Sequence, residues 1–389
     1  MDIVHKRRYR FLSIGDRTRL GKYRSKETPM AKASLVVVGG GYIGVELAQG
    51  LQETFDVTLV EPRDAFVHAP AMLRGLVDRS VRDEALIPYD KALSGAKLVK
   101  ARATEIREKS VLTDQGEELP ADYIVLCPGA SNGGIFKPAG EGIDAFRAAQ
   151  EKVEGQIKAA DSIAIVGAGA VGTELAGEIA HAYAAKKITL ISSDTTLFPG
   201  FSAKLGRGLA KKLGDMGVSL VLGQRVTDLK STTEPYSGKL TLQNGDTLDA
   251  DLVIPCIGSR PETALFESLP GVAKAADGRV KVDAHLRPST YPNVFAAGDA
   301  VDAGDAMTIV AASRQQPWLA KLLKAVAAGK TVESQKAYTP WGSAPILVPL
   351  GPERGNSFLM IATFGDWVTK TAKGKDLFIG KYRKLLGYA

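Results

Sequence analysis

Cysteine is scarce in this chain: Cys127 and Cys256 are the only two in 389 residues. That count rules out a disulfide framework and fits a reducing compartment such as the cytoplasm. The four histidines, His5, His68, His181 and His285, are scattered without metal-ligand spacing, so no metal site is expected. No nucleophile–base constellation and no low-complexity tract is present. No run approaches the ~20 uninterrupted apolar residues of a membrane-spanning helix. The folded body also lacks net charge. The formal charge is +7, and residues 1–33 hold ten bases against three acids, which accounts for all of it. A basic body that would bind nucleic acid is therefore not expected. The tail 1–33 reads as a disordered segment or an upstream-start artefact ahead of Met30-Ala31-Lys32. A targeting peptide, against which its three acids and little serine count, and a polyanion-binding arm are the other readings.

What the chain has is a glycine pattern used twice. Gly39-Gly40-Gly41-Tyr42-Ile43-Gly44 and Gly167-Ala168-Gly169-Ala170-Val171-Gly172 each follow an apolar, β-branched run and precede a helical one. In such a G-x-G-x-x-G fingerprint the first glycine makes the tight turn out of the strand. The second lets a pyrophosphate approach the backbone, and the third lets the helix pack on the sheet. After the first fingerprint the strand Asp56–Val60 ends at Glu61, where a carboxylate can bind ribose hydroxyls. After the second, Lys187–Ile191 ends at Ser192, which neither repels nor attracts a 2′-phosphate; both NADH and NADPH are permitted. Two dinucleotides in one chain imply hydride transfer between a nicotinamide and a flavin, with FAD on the first fingerprint.

Other segments extend this reading. Val294-Phe295-Ala296-Ala297-Gly298-Asp299 is an apolar strand ending in Gly-Asp, which fits a second FAD contact, and the helical stretch 311–328 should aim its N-terminus at the flavin. Glu174, just past Gly172, is placed to orient a carboxamide or carry a proton at the flavin–nicotinamide junction, whereas Glu178 reads as structural. Both cysteines end apolar strands and precede glycines (Gly129 and Gly258), as small buried residues do at domain crossovers. No close cysteine pair lies between Gly39 and Arg74, so thiol–disulfide chemistry is not expected. From Trp367 to Leu386 aromatic and basic residues interleave, as in segments that lie on a membrane surface or in a last helix docked through its apolar side.

The expected fold is α/β: two Rossmann-like dinucleotide-binding domains and a small C-terminal α+β module. The FAD domain is discontinuous, 34–157 and 281–330, with the NAD(P)H domain 158–280 inserted and 331–389 forming the last module.

These residues, together with Asp64-Ala65-Phe66-Val67-His68, Leu73-Arg74 and the ending Lys373-Gly374-Lys375-Asp376-Leu377-Phe378, resemble the apoptosis-inducing-factor-like and ferroptosis-suppressor-type FAD-dependent NAD(P)H:quinone oxidoreductases, which are related to type II NADH dehydrogenases. The resemblance covers nearly everything from Leu35 onward. It implies FAD contacts from Gly39 through Ile43, from Arg74, from the backbone at Ala103 and from Asp299. It also implies roles for Glu174, Lys373 and Phe378 near the flavin and a quinone. Met1-Asp2-Ile3 offers no glycine for N-myristoylation, Ala103 stands for a bulkier residue, and Pro128 for a threonine. A small electron-carrier protein of the ferredoxin or rubredoxin type is the alternative acceptor. A nucleic-acid-binding effector is the alternative class.

Overall fold

Apolar, β-branched runs become the centres of two parallel sheets. The computed structural model describes residues 31–131, 135–138 and 142–388, so the basic segment 1–30 lies outside the described residues. The chain divides into Met1–Lys32 and a second unit, Ala33–Ala389. It begins with β1 (Ser34–Val38), α1 (Tyr42–Leu51), β2 (Asp56–Val60), α2 (Ala69–Arg74), β3 (Lys97–Val99) and β4 (Tyr123–Leu126). Helix α3 (Ile143–Ala159) leads into β5 (Ser162–Val166), α4 (Ala170–Ala182), β6 (Lys187–Ser192), α5 (Ala203–Asp215), β7 (Val218–Leu222), β8 (Tyr236–Thr241) and β9 (Thr247–Pro255). Strand β10 (Val294–Ala296) then returns to the first sheet, whose order is β10-β4-β1-β2-β3, all parallel. The second sheet is β8-β9-β5-β6-β7, parallel except for the β8–β9 edge.

The two sheets repeat the same local chemistry. Gly39 and Gly167 turn out of the central strands at φ 99° and 107°, where an L side chain is strained. A Cβ on either would also lie 2.3 or 2.6 Å from the carbonyl oxygen of Cys127 or Cys256. A Cβ on Gly44 or Gly172 would come within 1.8 or 1.9 Å of the carbonyl oxygen of the fingerprint's own first glycine. Strand starts are pinned alike. The Asp122 carboxylate accepts from the Ser34 amide (2.8 Å) and hydroxyl (2.9 Å), and Asp251 accepts from the Ser162 amide and hydroxyl, both at 2.8 Å. These bonds hold both aspartate carboxyls below their usual range. Each cysteine follows a central strand; burial pushes the Cys127 thiol up to about 12 and also raises that of Cys256. Both remain protonated thiols at neutral pH.

Helix α6 (Ile309–Ala327) follows, capped by the Thr308 hydroxyl, which accepts from the Ala311 amide at 3.2 Å. The C-terminal module is an antiparallel sheet of β11 (Ile346–Leu350), β12 (Arg354–Phe358) and β13 (Thr363–Phe364), then α7 (Asp366–Thr369) and α8 (Ile379–Leu385). Here the two readings of the C-terminal segment separate: most of 367–386 packs as a helix docked through its apolar side. Leu377, Ile379, Tyr382 and Leu386 are buried against the first sheet's side of the molecule, among Met72, Phe66 and Tyr89. The last helix spends its apolar residues on the body. No helix among the described residues is long and apolar enough to cross a membrane.

The module packs on α4 through Gly177, where a Cβ would come 2.5 Å from the Leu350 Cα. Helix propensity alone favours alanine there by ~1 kcal/mol, but overpacking against backbone costs ~1–3 kcal/mol. Gly177→Ala is therefore expected to lower the denaturant midpoint. A raised midpoint would show that the module yields at this contact.

Candidate active site

Both fingerprint helices begin without a cap. Gly41 and Gly169 precede α1 and α4, no side chain accepts from either first turn, and a Cβ on either glycine would meet nothing within 4 Å. Uncapped helix N-termini of 10 and 13 residues facing open space are built for the pyrophosphate of a dinucleotide. The residues therefore fit the two cofactors that the fingerprints imply.

At the first fingerprint Glu61 is 1% exposed at the end of β2. It accepts from the Gly40 amide at 2.7 Å and from Arg63 Nε and Nη2 at 2.6 and 2.9 Å. Burial opposes its charge, but Arg63 and the Gly40 amide outweigh it and hold the carboxyl below the usual range. The Tyr89 hydroxyl donates to the Gly40 carbonyl at 2.6 Å and fixes the turn from below. At the equivalent place in the second sheet, Ser192 Oγ accepts from the Asp194 amide at 3.1 Å, with no carboxylate of its own.

The Gly-Asp segment after β10 meets the first fingerprint: Gly298 lies against Ile43, whose Cδ1 would stand 3.4 Å from a Cβ there. Asp299 Oδ2 is 3.0 Å from Lys137 Nζ. The Gly298 amide donates to Gln315 Oε1 at 2.7 Å, and Gln315 Nε2 donates to the buried Asp305 at 3.1 Å. That chain ties α6 to the segment. Gly129 turns at φ 76° with open space around it. Ala103 is half-buried on a separate three-stranded antiparallel sheet, paired with Thr113.

Helix α4 carries the densest electrostatics. Glu174 and Glu178, four residues apart, are 5% and 2% exposed. Lys373 Nζ donates to both Glu174 oxygens at 2.7 and 2.9 Å and to the Leu347 carbonyl at 3.2 Å. Burial raises the Glu174 carboxyl above its ordinary range even with this ammonium beside it. Arg74 donates from Nε and Nη2 to Glu178, both at 2.9 Å, and from Nη1 to the Lys375 carbonyl at 3.4 Å. Arg74 thus has a structural task besides any cofactor contact, with Glu178 as its partner.

Lys373 leads into a strained turn. Leu377 and Phe378 sit at φ 52° and 66°, a region that costs non-glycine residues ~1–3 kcal/mol each. Four hydrogen bonds hold it: Leu377 amide to Lys373 carbonyl (2.7 Å), Ile379 amide to Asp376 carbonyl (2.9 Å), Phe378 amide to Asp376 Oδ1 (3.0 Å), and His68 Nε2–H to the Leu377 carbonyl (2.5 Å). Because that carbonyl only accepts, His68 is protonated on Nε2, and its Nδ1 accepts from the Tyr42 hydroxyl at 3.1 Å. Tyr42, inside the first fingerprint, is thereby linked to the turn that carries Phe378. Rings of Tyr42, Phe66, His68 and Tyr382 pack around this link.

Sequence reasoning passed over Arg63, Lys137, Tyr89 and Gln315 as site residues, and it used His68 only as part of a matching segment. A base two residues past the fingerprint acid was the one local signal, pointing to Arg63.

Burial lowers the pKa of His68 from 6.5 to about 4. Lys373 and Lys381 add to that fall, while Asp376 and the Leu377 carbonyl oppose it. The unfolded chain takes up this proton near 6.5 and the folded chain only near 4. The stability it contributes, on the order of 3 kcal/mol, is whole above pH 6.5 and is lost as pH falls toward 4. His68→Gln should flatten the stability slope between pH 6.5 and 4; an unchanged slope would place the pH sensitivity elsewhere.

Residues 11–131 and 88–316 match the family model described as pyridine nucleotide-disulphide oxidoreductase. The apoptosis-inducing factor homolog B of Dictyostelium discoideum is 31% identical over 377 residues, covering 90% of this chain and 96% of that one. Ferroptosis suppressor protein 1 of Taeniopygia guttata is 29% identical over 366 residues, covering 91% and 95%. The sulfide:quinone oxidoreductase of Aquifex aeolicus superposes with a TM-score of 0.71 at 17% identity over 92% of each chain, a likeness of fold. The chain is an FAD- and NAD(P)H-dependent oxidoreductase and belongs to the pyridine nucleotide-disulphide oxidoreductase family.

Proposed function

We propose that this protein is an NAD(P)H:quinone oxidoreductase. The observation that carries the reading is the buried Lys373–Glu174 pair. It brings a cation from the C-terminal module onto the first turns of the helix that follows the second fingerprint. FAD, when bound, takes hydride from NAD(P)H and hands two electrons to an acceptor.

In this reading FAD occupies 34–157 and 281–330, held by Gly39 through Gly44, Glu61, Gly129, Gly298 and Asp299, with Arg74 and Ala103 nearby. The nicotinamide dinucleotide occupies 158–280 through Gly167, Gly169 and Gly172. Ser192 leaves the choice between NADH and NADPH open. Glu174 Oε atoms orient the carboxamide, and Lys373 Nζ faces the negative charge that develops on a reduced acceptor. Phe378, half-buried in its strained turn, offers a flat wall to a planar ring. Reducing a quinone consumes two protons with two electrons, and one proton arrives with the hydride. The Glu174 carboxyl, raised by burial, is placed to hold the other. Neither cysteine is poised for disulfide chemistry, since burial keeps both as thiols.

Mixing the yellow protein with NADH and a short-chain quinone should give steady turnover, and Lys373→Met should slow reoxidation by quinone about 10²-fold at unchanged flavin content. Bleaching by NADH without reoxidation by any quinone, alongside rapid reduction of an iron–sulfur carrier protein, would assign the acceptor to that class instead.

A further inference from the structure

Exposed apolar side chains are scattered singly on most soluble surfaces and need no explanation. Here they are not scattered. Among the described residues the large hydrophobics left exposed are Ile257, Met360, Ile361, Phe364 and Trp367, four of them within eight positions. Ile361 is 94% and Trp367 79% exposed. Met360 and Ile361 form the tip of the β12–β13 hairpin, where Phe358 pairs with Thr363 and the Leu359 amide donates to the Ala362 carbonyl at 2.9 Å. The backbone at Met360 is left-handed, φ 61°, so the tip turns tightly and holds its two apolar side chains outward. Phe364 follows on β13, and Trp367 stands in the first turn of α7, with exposed Lys370 three residues on.

Charge is concentrated in the same module. From Ser34 onward bases and acids balance, yet between Glu353 and Lys384 seven lysines and arginines meet three acids, Glu353, Asp366 and Asp376. Lys373 is paired with Glu174, while Arg354, Lys370, Lys375, Lys381 and Lys384 are exposed. On α5, which packs beside β12 through Gly208 and Asn356, Lys204, Arg207 and Lys211 are also exposed. A narrow apolar tip backed by cations, with tryptophan at its shoulder, matches the layering of a membrane interface: acyl chains, then headgroups, then anionic charge.

We propose that the hairpin tip Met360–Phe364, with Trp367, docks this protein on a bilayer carrying anionic headgroups. The consequence for catalysis rests on the quinone reading. The module that seats on the membrane also supplies Lys373 and Phe378, so docking sets the acceptor site at the phase in which a lipid-soluble quinone dissolves. The docking itself is tested without turnover.

Full-length protein and the Ile361→Glu, Trp367→Glu variant are sedimented with phosphatidylcholine vesicles with and without phosphatidylserine. The basic segment 1–33 is common to both proteins, so their difference isolates the tip. Native protein should bind phosphatidylserine-containing vesicles, less at high salt, and brominated acyl chains should quench its tryptophan emission. The variant should bind at least about tenfold more weakly, with unchanged flavin content and unchanged rate with a water-soluble quinone. Equal binding by the two proteins, or absence of quenching, overturns the proposal. So does a native dimer that the variant dissolves, which would make the tip a contact between copies. Vesicle binding without quinone turnover would leave the docking standing and remove the acceptor reading.

Discussion

Two carboxylates buried on one helix and answered from two other parts of the chain set the geometry on which the rest depends. Glu174 and Glu178 lie one turn apart on α4, close enough that the charge of Glu178 opposes that of Glu174. Both are buried, and each is answered by a cation from elsewhere in the chain. Arg74 comes from α2, beside the first sheet, and Lys373 from the C-terminal module. Pairs of this kind add little net stability, since desolvation offsets much of the attraction, but removing one partner leaves a buried charge that costs ~3–5 kcal/mol. They act as registration pins. The second-fingerprint helix, the first sheet's side and the C-terminal module are thereby locked in one relative position. The Arg74 contact to the Lys375 carbonyl and the His68 contact to the Leu377 carbonyl close the same seam.

Around that seam the chain is a repeat whose halves have been given different tasks. Both halves share a turning glycine, a helix-packing glycine, an uncapped helix start and a serine–aspartate clip at the strand ends. They differ at the end of the strand that follows. Glu61 is a buried carboxylate held ionised by Arg63, while Ser192 carries no carboxylate. They differ again just past the third glycine. The first fingerprint continues Gly44-Val45-Glu46 with Glu46 half-buried and facing Lys381, whereas the second places Glu174 fully inside. In the proposed reading the shared parts bind pyrophosphate and the differing parts assign each site its role.

Much of this was legible in the residues because it is local. Within each half the fingerprint, its strand and helix, and the carboxylate at Glu61 or its absence at Ser192 lie within about 25 positions of one another, where periodicity and glycine spacing carry the information. The pairings that define the seam do not. Lys373 and Glu174 are 199 residues apart, and Arg74 and Glu178 are 104 apart, so no pattern links them before the chain folds. Lys137, Tyr89 and Gln315 likewise reach the site from segments with no motif of their own. The C-terminal segment left two readings open for a related reason. Its aromatic and basic residues fit a free surface or a docked helix alike, and only packing against Phe66 and Met72 shows Leu377, Ile379 and Tyr382 to be interior. The exposed hairpin tip had no sequence signature, because a short apolar stretch reads the same in a core as at a tip.

The central claim is that Glu174 and Lys373 work as one unit at the junction of the two cofactors. A double-mutant cycle on the rate of flavin reduction by NADH, using Glu174→Gln, Lys373→Met and the two together, tests it most directly. The account predicts that the double variant is no slower than the slower single variant, a coupling of at least ~1.5 kcal/mol. Additive losses in the two single variants would show that the residues act separately and would contradict the account.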